Sequence, residues 1–121
     1  MTALLKYLPY ISLFIGSWMV LNGVLHNFFV LRSARGRKYD RDLLRLLMDA
    51  HILITCGIMQ IISYGGLQSR EAWAYYVSGA SCISLLVYCA MIFPFLKSIG
   101  TILMNSILLI MLLFDYFLNI P

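Results

Sequence analysis

The sequence predicts an all-α integral membrane protein, an antiparallel up-down bundle of four transmembrane helices. Hydrophobic residues make up 62% of the chain and charged residues 12%, whereas soluble domains are about 45–50% apolar and about 25% charged. Four apolar runs of about 20 residues each match the thickness of a bilayer's hydrocarbon core. These runs use up nearly all of the 121 residues, so we expect a single transmembrane domain.

Each apolar run is predicted to be one helix, because backbone polar groups in a bilayer must be satisfied within their own segment. Asp40 and Asp42 can cap the second helix, and Gly65 with Gly66 predicts its end. Short connections make sequential helices antiparallel neighbours. The predicted helices cover about 8–31, 43–64, 72–93 and 99–119.

The distribution of charge predicts the orientation. Six of the nine Lys and Arg residues lie between positions 32 and 45. Lys97 falls on the same side of the predicted bundle, and only Lys6 and Arg70 fall on the other. The positive-inside rule therefore predicts a protein of the cell membrane with a cytoplasmic loop at 32–42 and both termini outside.

Aromatic residues independently support this orientation. Amphipathic rings favour the headgroup level of a bilayer. The aromatic residues that fall at the predicted outer end are Tyr7, Tyr10, Tyr64, Trp73, Tyr75, Tyr76 and Tyr116.

The formal net charge of +4 does not indicate nucleic-acid binding, because the cations are concentrated in one membrane-flanking loop. We expect anionic lipid headgroups to be its partner. Because the bundle is small, we also expect it to work as a homo-oligomer or within a larger membrane complex. The side chains expected to contact headgroups or other anions are Arg32, Arg35, Arg37, Lys38, Arg41 and Arg45.

Polar side chains inside a membrane are costly and therefore candidates for function. With a rise of about 1.5 Å per residue, four of them fall at one depth in the cytoplasmic half, one from each helix, and two lie slightly deeper. They form one predicted polar layer. The four are His26, Asp49, Tyr88 and Asn105, and the deeper two are Asn22 and His51.

Helical geometry separates two members of this layer. Asp49 and His51 are two residues apart and point in nearly opposite directions. Asp49 shares a polar stripe with Cys56 and Gln60, so we expect Asp49 to point inward and His51 outward. His26 and Asp49 form the expected central pair.

The alternative to a functional role is that these intramembrane polar residues have only structural roles. Asp49 has Arg45 one turn earlier as a possible ion-pair partner. His26 as a neutral imidazole can bond to Asn22, Asn105 or a backbone carbonyl. Asp115, near the last turn of the fourth helix, is expected to be hydrated.

Small residues at a spacing of four predict helix contact faces, because small side chains let backbones approach closely in lipid. One such stripe contains Ser12, Gly16 and, seven residues on, Gly23. The second contains Ala74, Ser78 and Cys82.

Three functional hypotheses follow. The first is a non-enzymatic accessory subunit or lipophilic-ligand-binding bundle, because the sequence contains no catalytic motif or metal-site pattern. The second is a redox subunit associated with quinone or with haem b. In the haem form His26 and His51 are the ligands of the iron. The third is a homodimeric transporter of ions or hydrophobic substrates that uses His26 and Asp49 as titratable gates.

Overall fold

The computed structural model describes residues 2–120, and all regular secondary structure in that range is helical. The helices are α1 (Thr2–Leu5), α2 (Leu8–Arg32), α3 (Arg41–Gln68), α4 (Ala72–Ile92) and α5 (Ile99–Asn119). Four of them, α2 to α5, are long and apolar enough to cross a membrane, as the composition predicts. A short 3-10 turn over Ala34–Arg37 lies between α2 and α3.

Successive long helices pack side by side in opposite directions. Ser12, early in α2, bonds to Gln60 in the second half of α3, whereas His26, late in α2, lies beside Leu46 near the start of α3. Side-chain hydrogen bonds show that the α3–α4 and α4–α5 pairs are also antiparallel, and α5 returns to contact α2.

The two ends of the bundle carry different kinds of side chain. The basic end carries the segment 32–45 and Lys97. The tyrosine end carries the seven aromatic residues predicted to share one side, and several of their rings touch. Tyr10 and Tyr64 lie 5.7 Å apart between ring centroids, and the Tyr76 and Tyr116 hydroxyl groups lie 2.8 Å apart.

The contact between α2 and α3 depends on glycine. A Cβ atom added to Gly16 would lie 2.7 Å from the carbonyl oxygen of Gly57, and the reciprocal distance is also 2.7 Å. A Cβ at Gly23 would lie 2.9 Å from the Ala50 carbonyl oxygen. The two backbones therefore approach too closely for a larger residue, which confirms this small-residue stripe as a helix contact face.

Helix α3 continues to Gln68, past the pair of glycines that we expected to end it. Gly66 is buried, and a Cβ there would lie 2.6 Å from both the Trp73 ring and the Ala74 Cβ. The residue is glycine because α4 packs closely at this point. Close packing, not helix termination, explains Gly66.

The turn after α3 is closed by a Schellman motif. The Glu71 N–H donates to the Gly66 carbonyl at 2.8 Å, and the Arg70 N–H donates to the Leu67 carbonyl at 3.2 Å. Arg70 has a φ of 53°. It therefore occupies the left-handed position that glycine usually takes in this motif.

The start of α3 follows the predicted capping. The Asp40 carboxylate accepts a hydrogen bond of 2.9 Å from the Leu43 N–H. This satisfies one of the amides that a helix start leaves without an intrahelical partner.

Candidate functional site

An inner cavity lies between the four long helices, toward the basic end. Its volume is about 60 Å³, enough for a few water molecules rather than a large ligand. Every long helix contributes to its lining. The polar side chains of the lining are His26 from α2, Asp49 from α3, Tyr88 from α4, Thr101 from α5 and Ser98 just before α5.

The shortest polar contact of the cavity joins Asp49 and Tyr88. The Tyr88 hydroxyl donates to the Asp49 carboxylate at 2.6 Å, and both residues are half-buried. A hydrogen bond to an ionised carboxylate is stronger than a neutral one. Arg45, which we considered as an ion-pair partner for Asp49, is exposed, and the bond that Asp49 accepts comes from Tyr88.

His26 lies on the α2 side of the cavity. Its Nε2 atom is 3.2 Å from the carbonyl oxygen of Leu46. A carbonyl only accepts, so this contact is a hydrogen bond when Nε2 carries the proton. The neutral ring then keeps Nδ1 as an acceptor. The partner is a backbone carbonyl, one of the three alternatives considered.

Three members of the predicted layer do not line the cavity. Two of them bond to a carbonyl of their own helix, and the third is His51, described below. The Asn22 amide donates to the Trp18 carbonyl of its own helix at 2.7 Å. Asn105 is fully buried and donates to the Thr101 carbonyl at 3.0 Å. Thr101, which the sequence analysis missed, supplies the α5 side chain of the cavity. Its position one turn before Asn105 on the same face was the available signal.

An outer groove lies on the outside of the bundle between α3 and α4, next to the inner cavity. Its volume is about 730 Å³. His51 is exposed there, as its angular position predicts, with Nε2 3.4 Å from the Thr55 hydroxyl. Apolar side chains form much of its wall, among them Met48, Ile52, Ile92, Phe95 and Leu96.

Asp49 and Tyr88 line both the inner cavity and the outer groove. Their hydrogen bond therefore lies in the wall that the two spaces share. His26 lines only the inner cavity and His51 only the outer groove. This separation disfavours a haem iron bound by both imidazoles within one copy of the chain.

The cations of the basic segment 32–45 are exposed, and nearby carboxylates partly offset their positive charge. Arg35 and Arg45 line a surface cavity of about 350 Å³ together with Asp40 and Asp42, so two carboxylates face the same space as two guanidinium groups. The Arg32 guanidinium lies 5.0 Å from the centroid of the Phe28 ring. The remaining cations of the segment, also exposed, are Arg37, Lys38 and Arg41.

Asp115 differs from the expectation of a hydrated surface carboxylate. It is only 3% exposed. Its carboxylate accepts hydrogen bonds from the Tyr75 hydroxyl and, at 2.6 Å, from the Asn119 amide. The available signal was depth, because Tyr75, near the start of α4, and Asp115, near the end of α5, fall at one level on neighbouring helices.

Among residues 2–120, no three His, Cys, Asp or Glu side chains cluster as a metal site requires. The three cysteines are buried thiols. The fold and the cavities define a class, a small helical protein with four potential membrane spans and a polar pocket beside a lateral groove. Comparisons of the chain with protein-family models, curated proteins and solved structures give no match.

Proposed function

We propose that this chain is a four-span integral membrane protein, with its basic loop cytoplasmic, that binds a lipophilic molecule bearing a polar head in the outer groove. The observation that carries the proposal is the groove itself. Its volume of about 730 Å³ falls within the range of roughly 300–1,000 Å³ typical of small-molecule sites. The smaller inner cavity would take only water or a small polar group from such a ligand.

The groove's apolar wall suits a ligand that arrives from the hydrocarbon region of the bilayer. Met48 and Phe95 are 59% and 91% exposed, so they offer apolar surface without first breaking packing inside the bundle. Methionine adapts its shape to irregular apolar partners. A ligand tail can therefore lie along α3 and α4 while it stays in contact with lipid.

The polar residues of the groove suit a head that both donates and accepts hydrogen bonds. Asp49 only accepts while ionised, whereas the Tyr88 hydroxyl can donate or accept. A donor on the ligand can replace Tyr88 at the carboxylate and free the Tyr88 hydroxyl to bond to the same head. His51 and Thr55 add further donors and acceptors along the groove.

The same groove supports one narrower alternative, a quinone-associated redox subunit. Quinone carbonyl oxygens accept hydrogen bonds, and Tyr88 of α4 and His51 of α3, which both line the groove, can donate them. A quinone is one lipophile that the groove would accept, and mass spectrometry of the co-purified molecules tests for it directly.

The proposal is tested by identifying lipophilic molecules that co-purify with the full chain in mild detergent. Thr55→Trp fills the groove, because Thr55 is exposed and lines it. Ile62→Trp is the matched control, since Ile62 is an exposed α3 residue outside the groove lining. We expect mass spectrometry to find a lipophile retained by the wild type and by Ile62→Trp and depleted at least fivefold in Thr55→Trp. Identical profiles for all three proteins would contradict the proposal.

A further inference from the structure

We propose that a second site, at the tyrosine end, binds a phosphate group between the side chains of Lys6 and Arg70. The inference rests on the membrane insertion proposed above but is independent of the outer groove. The site is a cavity of about 270 Å³ where the start of α2 meets the ends of α3 and α5. Lys6, Arg70 and the buried Asp115 all line it.

The backbone of Arg70 is the first argument. With a φ of 53°, Arg70 occupies the left-handed region that disfavours residues with a Cβ. Glycine would close the same turn without that cost. Strained backbone is often retained where the side chain has a function. Arg70 lines a cavity, and the planar set of donors of its guanidinium group matches phosphate oxygens.

The Asp115 carboxylate offsets one of the two positive charges that line the cavity. Its carboxylate is held by the Tyr75 hydroxyl and the Asn119 amide, so it is a fixed acceptor rather than a mobile surface group. Two cations and one carboxylate line the cavity, which leaves one net positive charge. A phosphodiester, which carries one negative charge, would bring the site to neutrality.

The position of the cavity fits a phosphate at the membrane surface. Tyr10 lines the cavity, and its ring packs edge-on against Tyr64. The Lys6 ammonium lies 5.5 Å from the centroid of the Tyr7 ring. Tyrosine side chains favour the headgroup level of a bilayer, where the phosphates of phospholipids lie. The same side chains can also receive inorganic phosphate from the aqueous side.

The experiment measures thermal unfolding of the full chain in mild detergent with three separate additives. These are dioctanoyl phosphatidylglycerol, dioctanoylglycerol, which has the same acyl chains without phosphate, and inorganic phosphate. We expect the phospholipid to raise the unfolding temperature in a saturable way and dioctanoylglycerol to leave it unchanged. A response to the phospholipid alone assigns the phosphate to a lipid headgroup, and an equal response to inorganic phosphate assigns it to the free anion.

The variants separate binding from folding. Arg70→Gly relieves the left-handed backbone, so without additive it should unfold at or above the wild-type temperature. We expect it to bind the phosphate-bearing additive at least tenfold more weakly, and Arg70→Lys to fall in between. Lys97→Gln, which removes a cation at the basic end, is the matched control and should respond like the wild type.

Two results would overturn the inference. One is an unchanged response in an Arg70→Gly, Lys6→Gln double variant. The other is stabilisation by dioctanoylglycerol equal to that by the phospholipid. Thr55→Trp should leave the phospholipid response intact, so failure of the groove proposal and failure of the phosphate site can be told apart.

Discussion

The Ser12 hydroxyl donates a hydrogen bond of 2.9 Å to the side-chain oxygen of Gln60 and so joins α2 to α3. The same oxygen accepts from the Ser78 hydroxyl of α4, and the Gln60 amide donates to the Ser78 carbonyl at 3.1 Å. Gln60 is fully buried. One amide group thus links three helices while its own donor and acceptor are satisfied.

We predict measurable coupling between Ser12 and Gln60. A double-mutant cycle of Ser12→Ala and Gln60→Leu should give a coupling free energy of about 0.6 kcal/mol, the average for interhelical hydrogen bonds in membranes. The measurement is reversible unfolding in mixed detergent micelles. Ser17→Ala, at an exposed position of α2, is the control and should not couple to Gln60→Leu. Strictly additive effects of Ser12→Ala and Gln60→Leu would show that the bond adds no stability.

The close approach of α2 and α3 gives a second prediction. Gly16→Ala forces a Cβ to within 2.7 Å of the Gly57 carbonyl oxygen, and overpacking of this kind costs about 1–3 kcal/mol. Gly79→Ala is the matched control, because within residues 2–120 nothing lies within 4 Å of the added Cβ. We expect a lower unfolding temperature for Gly16→Ala and an unchanged or higher one for Gly79→Ala. A Gly16→Ala variant as stable as Gly79→Ala would contradict the observed helix separation.

Features that depend on one helix alone could be predicted from the sequence. Apolar length is sufficient to predict four long helices, and helical periodicity put Asp49 and His51 on different faces. Asp49 lines the inner cavity while His51 is exposed. The small-residue stripe with Gly16 was predictable for the same reason, since it requires only a spacing along one helix.

Features that depend on how two helices meet were not predictable. The glycine pair predicted a helix end at Gly66, and only the position of Trp73 shows that Gly66 serves close packing instead. Depth along the helix axis put Asn105 in the polar layer, but the cavity lies one turn nearer the basic end on the same face of α5, where Thr101 lines it. That level depends on how α5 packs against the other helices. Asp115 was expected to be hydrated because it lies near the end of its helix beside Tyr116, whereas its hydrogen-bond partner Tyr75 lies 40 residues away in the chain.

The Asp49–Tyr88 pair gives a third prediction. Tyr88→Phe removes the donor and leaves the half-buried carboxylate without the bond, which should cost about 1–3 kcal/mol. Asp49→Asn keeps an oxygen that can accept from Tyr88, so we expect a smaller loss. Both are measured by unfolding in mixed micelles.

The control for this pair is Tyr76→Phe, which removes a hydroxyl from the exposed, neutral contact with Tyr116. It should cost less than Tyr88→Phe, because neutral exposed hydrogen bonds contribute less than charge-assisted ones. If Asp49→Asn proved as destabilising as Tyr88→Phe, the carboxylate would be needed for more than accepting this bond.

The proposed orientation gives a fourth prediction, tested by labelling single introduced cysteines. Ser33 at the basic end and Ser69 at the tyrosine end are both exposed, whereas the three native cysteines are at most 4% exposed and should react slowly. With a membrane-impermeant maleimide, we expect Ser69→Cys to be labelled in intact cells and Ser33→Cys only after permeabilisation. The physical reason is the excess of cations at the basic end, which is retained on the cytoplasmic side. The reverse pattern would invert the topology, and labelling of both positions in intact cells would contradict a single orientation with the basic end cytoplasmic.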